Sequence, residues 1–316
     1  MLKNPKIAAI IVTYNRKQLL DQCLRSLFNQ IRPLDAIIII DNVSTDDTPE
    51  LLKDKGYLTN PVLNYYRMPE NLGISGGFAE GLKIGYQKGF DWFWSIDDDL
   101  FVEPDALSQL VNSDVFVKEK VGVLAGVILD ENGKILFKSQ PAKRFNLSRI
   151  KPNIYPTKDD YNKPYFRIER TVSIGMLVAR RTIAKAGIPN KDFFIWHDDV
   201  DFSLRITKHF EMYCIPRSHL WHFETITTPQ RIILGYPYRL LPKDSLWKDY
   251  YGKRNRVFIQ IKYTKPATVL IITMIYSIFW IFATLAYGDN KSKRIWITLH
   301  AILNGLRGKL GKISPK

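Results

Sequence analysis

Four short apolar runs alternate with amphipathic stretches over the first hundred residues, and this rhythm constrains the fold more than any other feature of the chain. Ile7-Ala8-Ala9-Ile10-Ile11-Val12 is continuously apolar, the pattern of a strand buried on both faces. Leu19, Leu20, Cys23, Leu24, Leu27 and Phe28 then recur at helical spacing. Residues 36–40, 62–67 and 90–96 read as three more strands, and residues 73–87 as a helix. Ser44-Thr45-Asp46-Asp47-Thr48-Pro49-Glu50 carries the hydroxyl and acid caps and the early proline of a helix start. Strand and helix in alternation predict an α/β fold, a Rossmann-like and mostly parallel sheet flanked by helices. Further on, 121–129, 171–179 and 212–215 read as strands, and 181–187 as a short helix closed by Gly187. The stretch 144–170 has weak periodicity and reads as an extended loop, mobile until substrate binds.

In such sheets ligands bind at the carboxyl ends of the strands. The polar residues there are Thr13 and Asn15, Asp41 and Asn42, Asn71, and Asp97-Asp98-Asp99. Any one of them is an ordinary polar turn; together they suit a nucleotide. Three consecutive carboxylates raise one another's pKa unless a cation compensates them. Mg²⁺ or Mn²⁺ would do so, and such ions commonly share carboxylate oxygens with substrate phosphates. The competing reading is a solvated acidic turn that caps a helix near Pro104. The glycine-rich segment Asn71-Leu72-Gly73-Ile74-Ser75-Gly76-Gly77 matches neither the dinucleotide fingerprint nor the P-loop. Its glycines allow close backbone approach at a helix start, which fits a phosphate or ribose and equally a tight turn.

A second acidic cluster follows another aromatic run, Phe193-Phe194-Ile195-Trp196-His197-Asp198-Asp199-Val200-Asp201. One carboxylate suffices to cap a helix. Three acids in four residues leave a surplus, and Asp199 is the candidate general base, with Asp198 or Asp201 orienting groups or capping. His222, beside Trp221, is by itself an ordinary packed residue. Paired with an Asp-x-Asp site, its imidazole suits a third ligand for Mn²⁺.

Taken in order, Val12-Thr13-Tyr14-Asn15-Arg16, Asp41-Asn42-Val43-Ser44-Thr45-Asp46, Asn71 to Phe78, Asp97-Asp98-Asp99, Trp196 to Asp201, Leu220-Trp221-His222 and Tyr250-Tyr251-Gly252-Lys253-Arg254-Asn255 resemble a GT-A fold, family 2 glycosyltransferase. Within that family the chain is similar to bacterial galactofuranosyl- and rhamnosyltransferases. The resemblance implies donor contacts from Thr13, Asn15, Asp41, Asn71, Gly77, Asp97 and Asp98, with Asp41 near the pyrimidine. It implies Asp97, Asp99 and His222 as metal ligands for Mn²⁺ or Mg²⁺, and Asp199 as base in a single, inverting displacement. Acceptor contacts would come from Trp196, His197 and Asp198. The chain departs from the galactofuranosyltransferase pattern at His197, which stands between Trp196 and the aspartate pair. Asp97-Asp98-Asp99 with His222 favours a UDP-linked galactofuranose donor. A dTDP-rhamnose donor is the alternative, and a non-catalytic nucleotide-sugar or glycan-binding scaffold is a third reading.

Charge divides the chain. From Arg231 onward 16 Lys/Arg face three acids (Asp244, Asp249, Asp289), so nearly all of the +15 net charge lies there. Residues 1–230 therefore read as the catalytic domain and 231–316 as a basic, apolar helical module. Such charge, interleaved with aromatics, fits an anionic membrane surface, and no nucleic-acid-binding pattern appears. Residues 269–287 are uncharged and nearly long enough to span a bilayer. Spanning would put the basic stretches flanking the run on opposite sides, so an in-plane or re-entrant helix, or a pair with 295–306, is expected. The competing reading is a helix buried in a homo-oligomer interface. Cys23 and Cys214 read as reduced, packed thiols, and no signal peptide is expected before the first strand. The resulting picture is a peripheral or monotopic enzyme on the cytoplasmic face of a bacterial inner membrane. Its acceptor would be a lipid-diphosphate-linked glycan, and its product cell-surface polysaccharide.

Overall fold

The structure, a computed structural model, describes residues 4–136, 139–147, 153–222, 230–233, 236–239 and 241–312. Two compact units are present. The first comprises Met1–Phe145, Asn153–Lys191 and Asp198–Thr225, and the second Asn146–Pro152, Asp192–His197 and Ile226–Lys316.

The first unit is built on a nine-stranded sheet. Strands β1 (Ile7–Thr13), β2 (Ala36–Asp41), β3 (Leu63–Arg67) and β4 (Trp92–Asp97) are parallel, in the order β3-β2-β1-β4. Every residue of β1 and β2 is buried, as their continuous apolar runs require. The sheet continues through β8 (Met176–Ala179), β6 (Val121–Leu129), β9 (Glu211–His222) and β5 (Leu100–Val102), with β7 (Phe166–Ile168) also paired to β9. This half is mixed: β8 is antiparallel to both β4 and β6, and β5 and β7 are antiparallel to β9. The expected parallel order thus holds for the first four strands and again where β6 pairs with β9. Parallel pairing needs a crossover of a dozen or more residues, usually a helix. Between β6 and β7 the described residues form only the four-residue helix α5 (Lys158–Tyr161).

Helices cover both faces. One core joins α1 (Lys17–Phe28) and α4 (Ala106–Val111) to the sheet through Leu20, Leu24, Leu107 and Leu110. The other joins α3 (Gly73–Gln87) and α7 (Asp198–Ile206) through Phe78, Leu82, Phe202 and Ile206. Glycines at four-residue intervals bring α3 down onto the strands. A Cβ at Gly77 would lie 2.5 Å from Val12, one at Gly81 would collide with Ile10, and one at Gly85 would meet Phe93 at 3.0 Å.

Three local expectations are corrected. The start of α2 (Thr48–Asp54) has no side-chain cap; Asp46 instead accepts from Thr48 Oγ1 and the Lys17 N–H. The stretch 144–170, expected as a loop, contains α5 with its Thr157/Asp160 capping box and strand β7, while 148–152 lie outside the described residues. Asp160 is buried there between Lys143 and Lys163. Finally, β9 runs on past Ile215 to His222, and the strand expected from Thr171 begins only at Met176.

The second unit contains the hairpin β10 (Gln230–Ile233) and β11 (Tyr236–Arg239), then α8 (Leu246–Tyr263), α9 (Pro266–Tyr287) and α10 (Lys291–Leu306). Its small core gathers Leu246, Tyr250, Tyr251, Ile297 and Ala301, with Phe194 and Ile195 against it. Gly305 lets α10 approach α8, since a Cβ there would lie 2.6 Å from the Arg254 carbonyl. The Lys253 ammonium is buried between Asp249 and Thr298.

Candidate active site at the carboxyl ends of the parallel strands

Register lines up the polar strand ends. Thr13 stands opposite Asp41, and Val12 opposite Asp97, so β1, β2 and β4 finish together. Leu100, directly after the aspartates, pairs with His222 at the end of β9. One short antiparallel ladder therefore carries a histidine back to residues more than a hundred positions earlier.

Thr13 Oγ1 donates to Asp98 Oδ2 at 2.7 Å. The Arg16 guanidinium donates to Asp99 Oδ2 at 2.6 Å and to Asp98 Oδ1 at 3.3 Å. Asp97 Oδ1 and Asp99 Oδ1 are buried and have no hydrogen-bond partner, and the same is true of His222 Nδ1. His222 Nε2 stands 3.5 Å from Asp99 Oδ1. Burial, then the charges of Asp99 and Asp98, push Asp97 well above the usual carboxylate range. Asp98 is pushed up to about 6 by burial, against the opposing pull of Arg16 and the Thr13 hydroxyl.

Buried carboxylate oxygens without donors are costly, and a hard divalent cation is the ligand whose chemistry they fit. The donor set (two carboxylates and an imidazole) suits Mn²⁺ or Mg²⁺. Among the described residues no three His, Cys, Asp or Glu side chains converge as a ready-made metal cluster. Of the expected trio, His222 is brought to Asp99, and Asp97 and Asp99 each keep a buried oxygen without a donor, with Arg16 set beside Asp98 and Asp99.

The remaining residues expected on the donor side are held by the protein. Asp41 is fully buried; its Oδ1 accepts from the Ser44 N–H and its Oδ2 from Tyr65 Oη at 2.5 Å. Asn15 adopts a left-handed backbone (φ 53°) and accepts from the Thr45 N–H, and Asn71 accepts from the Gly73 N–H. Asn42 ties β2 to the start of α3, donating to the Gly73 carbonyl and accepting from the Leu72 N–H. Gly77 faces Val12, and packing accounts for its lack of a side chain.

The second acidic cluster opens α7. Asp199 Oδ2 accepts from Arg170 Nη2 at 2.9 Å, and Asp201 pairs with Arg205 one turn on. Asp198 is buried, and burial together with the charge of Asp199 pushes its carboxyl up to about 7. Its charge also raises Asp97, by less than burial or the charges of Asp99 and Asp98 do. Trp196 and His197 belong to the second unit, where Trp196 keeps 39% of its surface exposed. Arg16 and Arg170 escape sequence reasoning because each meets its partners only through tertiary contacts. The one sequence signal was the place of Arg16, directly after a polar strand end.

The chain from 8 to 183 matches the model of glycosyl transferase family 2. It is 25% identical over 312 residues to galactofuranosyltransferase GlfT1 of Mycobacterium tuberculosis, covering 97% of both chains. It is 23% identical over 311 residues to dTDP-rhamnosyl transferase RfbF of Shigella flexneri, covering 98% of both. Among solved structures, GalNAc-T7 with UDP, GalNAc and Mn²⁺ superposes with a TM-score of 0.61 at 14% identity, across 98% of this chain and 57% of that one. That likeness is one of fold, the GT-A arrangement. With the match covering more than half its length, the chain belongs to glycosyl transferase family 2 and is a transferase.

Proposed function

We propose that this enzyme moves galactofuranose from a UDP-linked donor to a lipid-diphosphate-linked glycan, with inversion and with help from Mn²⁺ or Mg²⁺. The observation that carries the reading is the pair of buried, unpartnered oxygens Asp97 Oδ1 and Asp99 Oδ1 where the parallel strands end. Asp97, Asp99 and His222 would hold the ion, which when bound neutralises charge developing on the departing nucleotide. Thr13, Asn15, Asp41, Asn71 and Asp98 form the donor side. Asp199 takes the proton of the acceptor hydroxyl as that oxygen attacks the anomeric carbon from the face opposite the nucleotide. Arg170 fixes the direction of the Asp199 carboxylate. Trp196 and His197 receive the acceptor. The likeness to a full-length dTDP-rhamnosyl transferase supports one competing donor, dTDP-rhamnose.

A membrane-bound acceptor suits the second unit. Among the described residues α9 is the one helix long and apolar enough to cross a membrane, with a mean hydropathy of 2.3. Only Val269, Ile272, Thr273, Ala283 and Thr284 are buried, while Leu270, Ile271, Met274, Ile275, Ile278, Phe282 and Leu285 are exposed. An exposed apolar face this continuous marks an interaction surface. Lys262 and Lys265 precede it and Lys291 and Lys293 follow it, which suits a helix lying in the plane of an anionic leaflet. The enzyme would then work at the cytoplasmic face of a bacterial inner membrane, in cell-surface polysaccharide synthesis.

A thermal-shift titration with UDP and dTDP, each with Mn²⁺ or with EDTA, tests the donor. A ligand at 100 times its Kd stabilises the folded state by about 2.7 kcal/mol. UDP with Mn²⁺ is expected to raise the Tm and EDTA to cancel the rise. A larger shift with dTDP would move the donor to rhamnose, and no shift with either nucleotide would sink both donors.

A further inference from the structure

The segment Asp192–His197 runs through the second unit in a conformation its own sequence disfavours. Phe194, Trp196 and His197 have φ of 66°, 64° and 69°, so three bulky residues out of four sit in the left-handed region where glycine belongs. Such a backbone persists only where its surroundings over-determine it, and it gathers at functional positions. Here the surroundings are one face of α8.

Asn255 is fully buried, and its amide Nδ2 donates to three carbonyls, those of Phe193 at 3.0 Å, Ile195 at 2.9 Å and Trp196 at 2.9 Å. Two amide protons serve three acceptors only when the backbone curls around them. The amide is oriented in turn by Arg254, whose Nε donates to Asn255 Oδ1 at 2.9 Å. Arg254 is also fully buried. It donates to the Gly311 carbonyl at 2.6 Å and, through Nη2, to the carbonyls of Asp192 and Phe193 at 3.1 and 3.2 Å. A guanidinium can reach all of these at once because its donors fan out in one plane. One turn earlier, Gly252 lies under the Trp196 ring, where a Cβ would come within 2.9 Å of Cε3. Phe194 stacks on Tyr251 with ring centroids 4.9 Å apart.

This effort is spent on a tryptophan that remains 39% exposed. A core anchor would bury its ring; a ring held by a buried network and still open to solvent is being presented. We propose that Gly252, Arg254 and Asn255 are positioning residues, which hold the Phe193–His197 backbone so that Trp196 and His197 meet the acceptor. The proposal rests on the acceptor role given to those two residues above. It gives the Tyr250-Tyr251-Gly252-Lys253-Arg254-Asn255 stretch of the sequence a task, that of holding the 193–197 backbone.

The full-length protein labelled with 5-fluorotryptophan tests this, with Trp196→Phe assigning the Trp196 ¹⁹F resonance. In Gly252→Ala the added methyl should displace the ring and move that resonance. In Asn255→Ala the resonance should move as well, and amides 193–197 should exchange hydrogen faster. In both variants KM for a lipid-diphosphate-linked glycan that the parent glycosylates should rise about 10- to 100-fold, as expected for a misplaced binding group. UDP with Mn²⁺ should still raise the Tm as in the parent, which shows that the donor side remains folded. An unmoved resonance and unchanged exchange in both variants would overturn the clamp. A displaced loop with unchanged acceptor KM would instead overturn the acceptor role of Trp196 and His197, on which the proposal rests.

Discussion

Asp97–Asp99 and Asp198–Asp201 have the same ingredients, three aspartates delivered by an aromatic run, yet they are satisfied in opposite ways. At the end of β4, two carboxylate oxygens are buried with no donor, and Arg16 and Thr13 engage only the others. At the start of α7, Asp199 is tied to Arg170 and Asp201 to Arg205. A strand end contributes few free N–H groups, whereas a helix start adds its own dipole and amides, and the Val200 N–H indeed donates to Asp199 Oδ1. Asp97 and Asp99 each keep an oxygen with no donor, which suits a ligand to a cation; both oxygens of Asp199 accept hydrogen bonds, which suits an oriented base. The difference between the clusters lies in their partners rather than in their composition.

If that division is right, the two clusters should fail differently. Asp99→Asn should produce the largest effect, a fall in turnover of about 10³-fold, corresponding to the several kcal/mol that a Lewis-acidic ion supplies. The Mn²⁺-dependent rise in Tm with UDP should vanish with it. Turnover within about 3-fold of the parent would remove Asp99 from the site. Next comes Asp199→Asn, for which the loss of a general base costs roughly 10²–10⁴ in turnover. Here the UDP-induced Tm rise should survive, because the donor side is untouched. A lost Tm rise in this variant would merge the two clusters into one donor site and break the comparison.

How much of this could be read from sequence follows the same line between local and tertiary causes. The boundaries of Gly73–Gln87 and Val121–Leu129 were legible to the residue, since apolar periodicity there matches what the tertiary structure buries. That Thr13, Asp41 and Asp97 finish their strands side by side was legible, because in a parallel sheet polar positions at strand ends fall on one edge. His222 was legible as a residue, but its place was not. The apolar run of β9 breaks at Pro216-Arg217-Ser218, and the strand survives the break through a register shift between Ala125 and Val127 of its partner β6. Proline is tolerated in strands at such irregularities, and nothing local announces that pairing resumes beyond it. Arg16 and Arg170 were invisible as partners, lying 83 and 29 positions from Asp99 and Asp199. What the sequence did not announce is the packing at Gly77, where the missing side chain lets α3 sit on Val12.

The smallest effect sharpens the comparison from within the second cluster. Asp198 follows the pattern of neither group, being buried with its carboxyl at about 7 rather than the ordinary 3.8. Unfolding exposes it and returns it to its ordinary value. Between pH 5 and 7 the unfolded chain has therefore already released this proton while the folded chain still keeps it. The unfolded state binds fewer protons, so stability falls as pH rises through that window and levels off above about 7. At 1.36 kcal/mol per unit, the two units between pH 5 and 7 correspond to a loss of roughly 2–3 kcal/mol as an upper figure. Asp98, pushed up to about 6, and Asp97, pushed well above the usual range, contribute with the same sign, so the parent alone does not isolate Asp198. Asp198→Asn does, because it removes one titration and leaves the others. Urea midpoints measured at pH 5, 6, 7 and 8 should fall more steeply in the parent than in the variant, the two curves separating by about 2 kcal/mol. Parallel curves would mean that Asp198 ionises as freely as an exposed acid, and the burial that sets it apart from Asp199 would carry no electrostatic consequence.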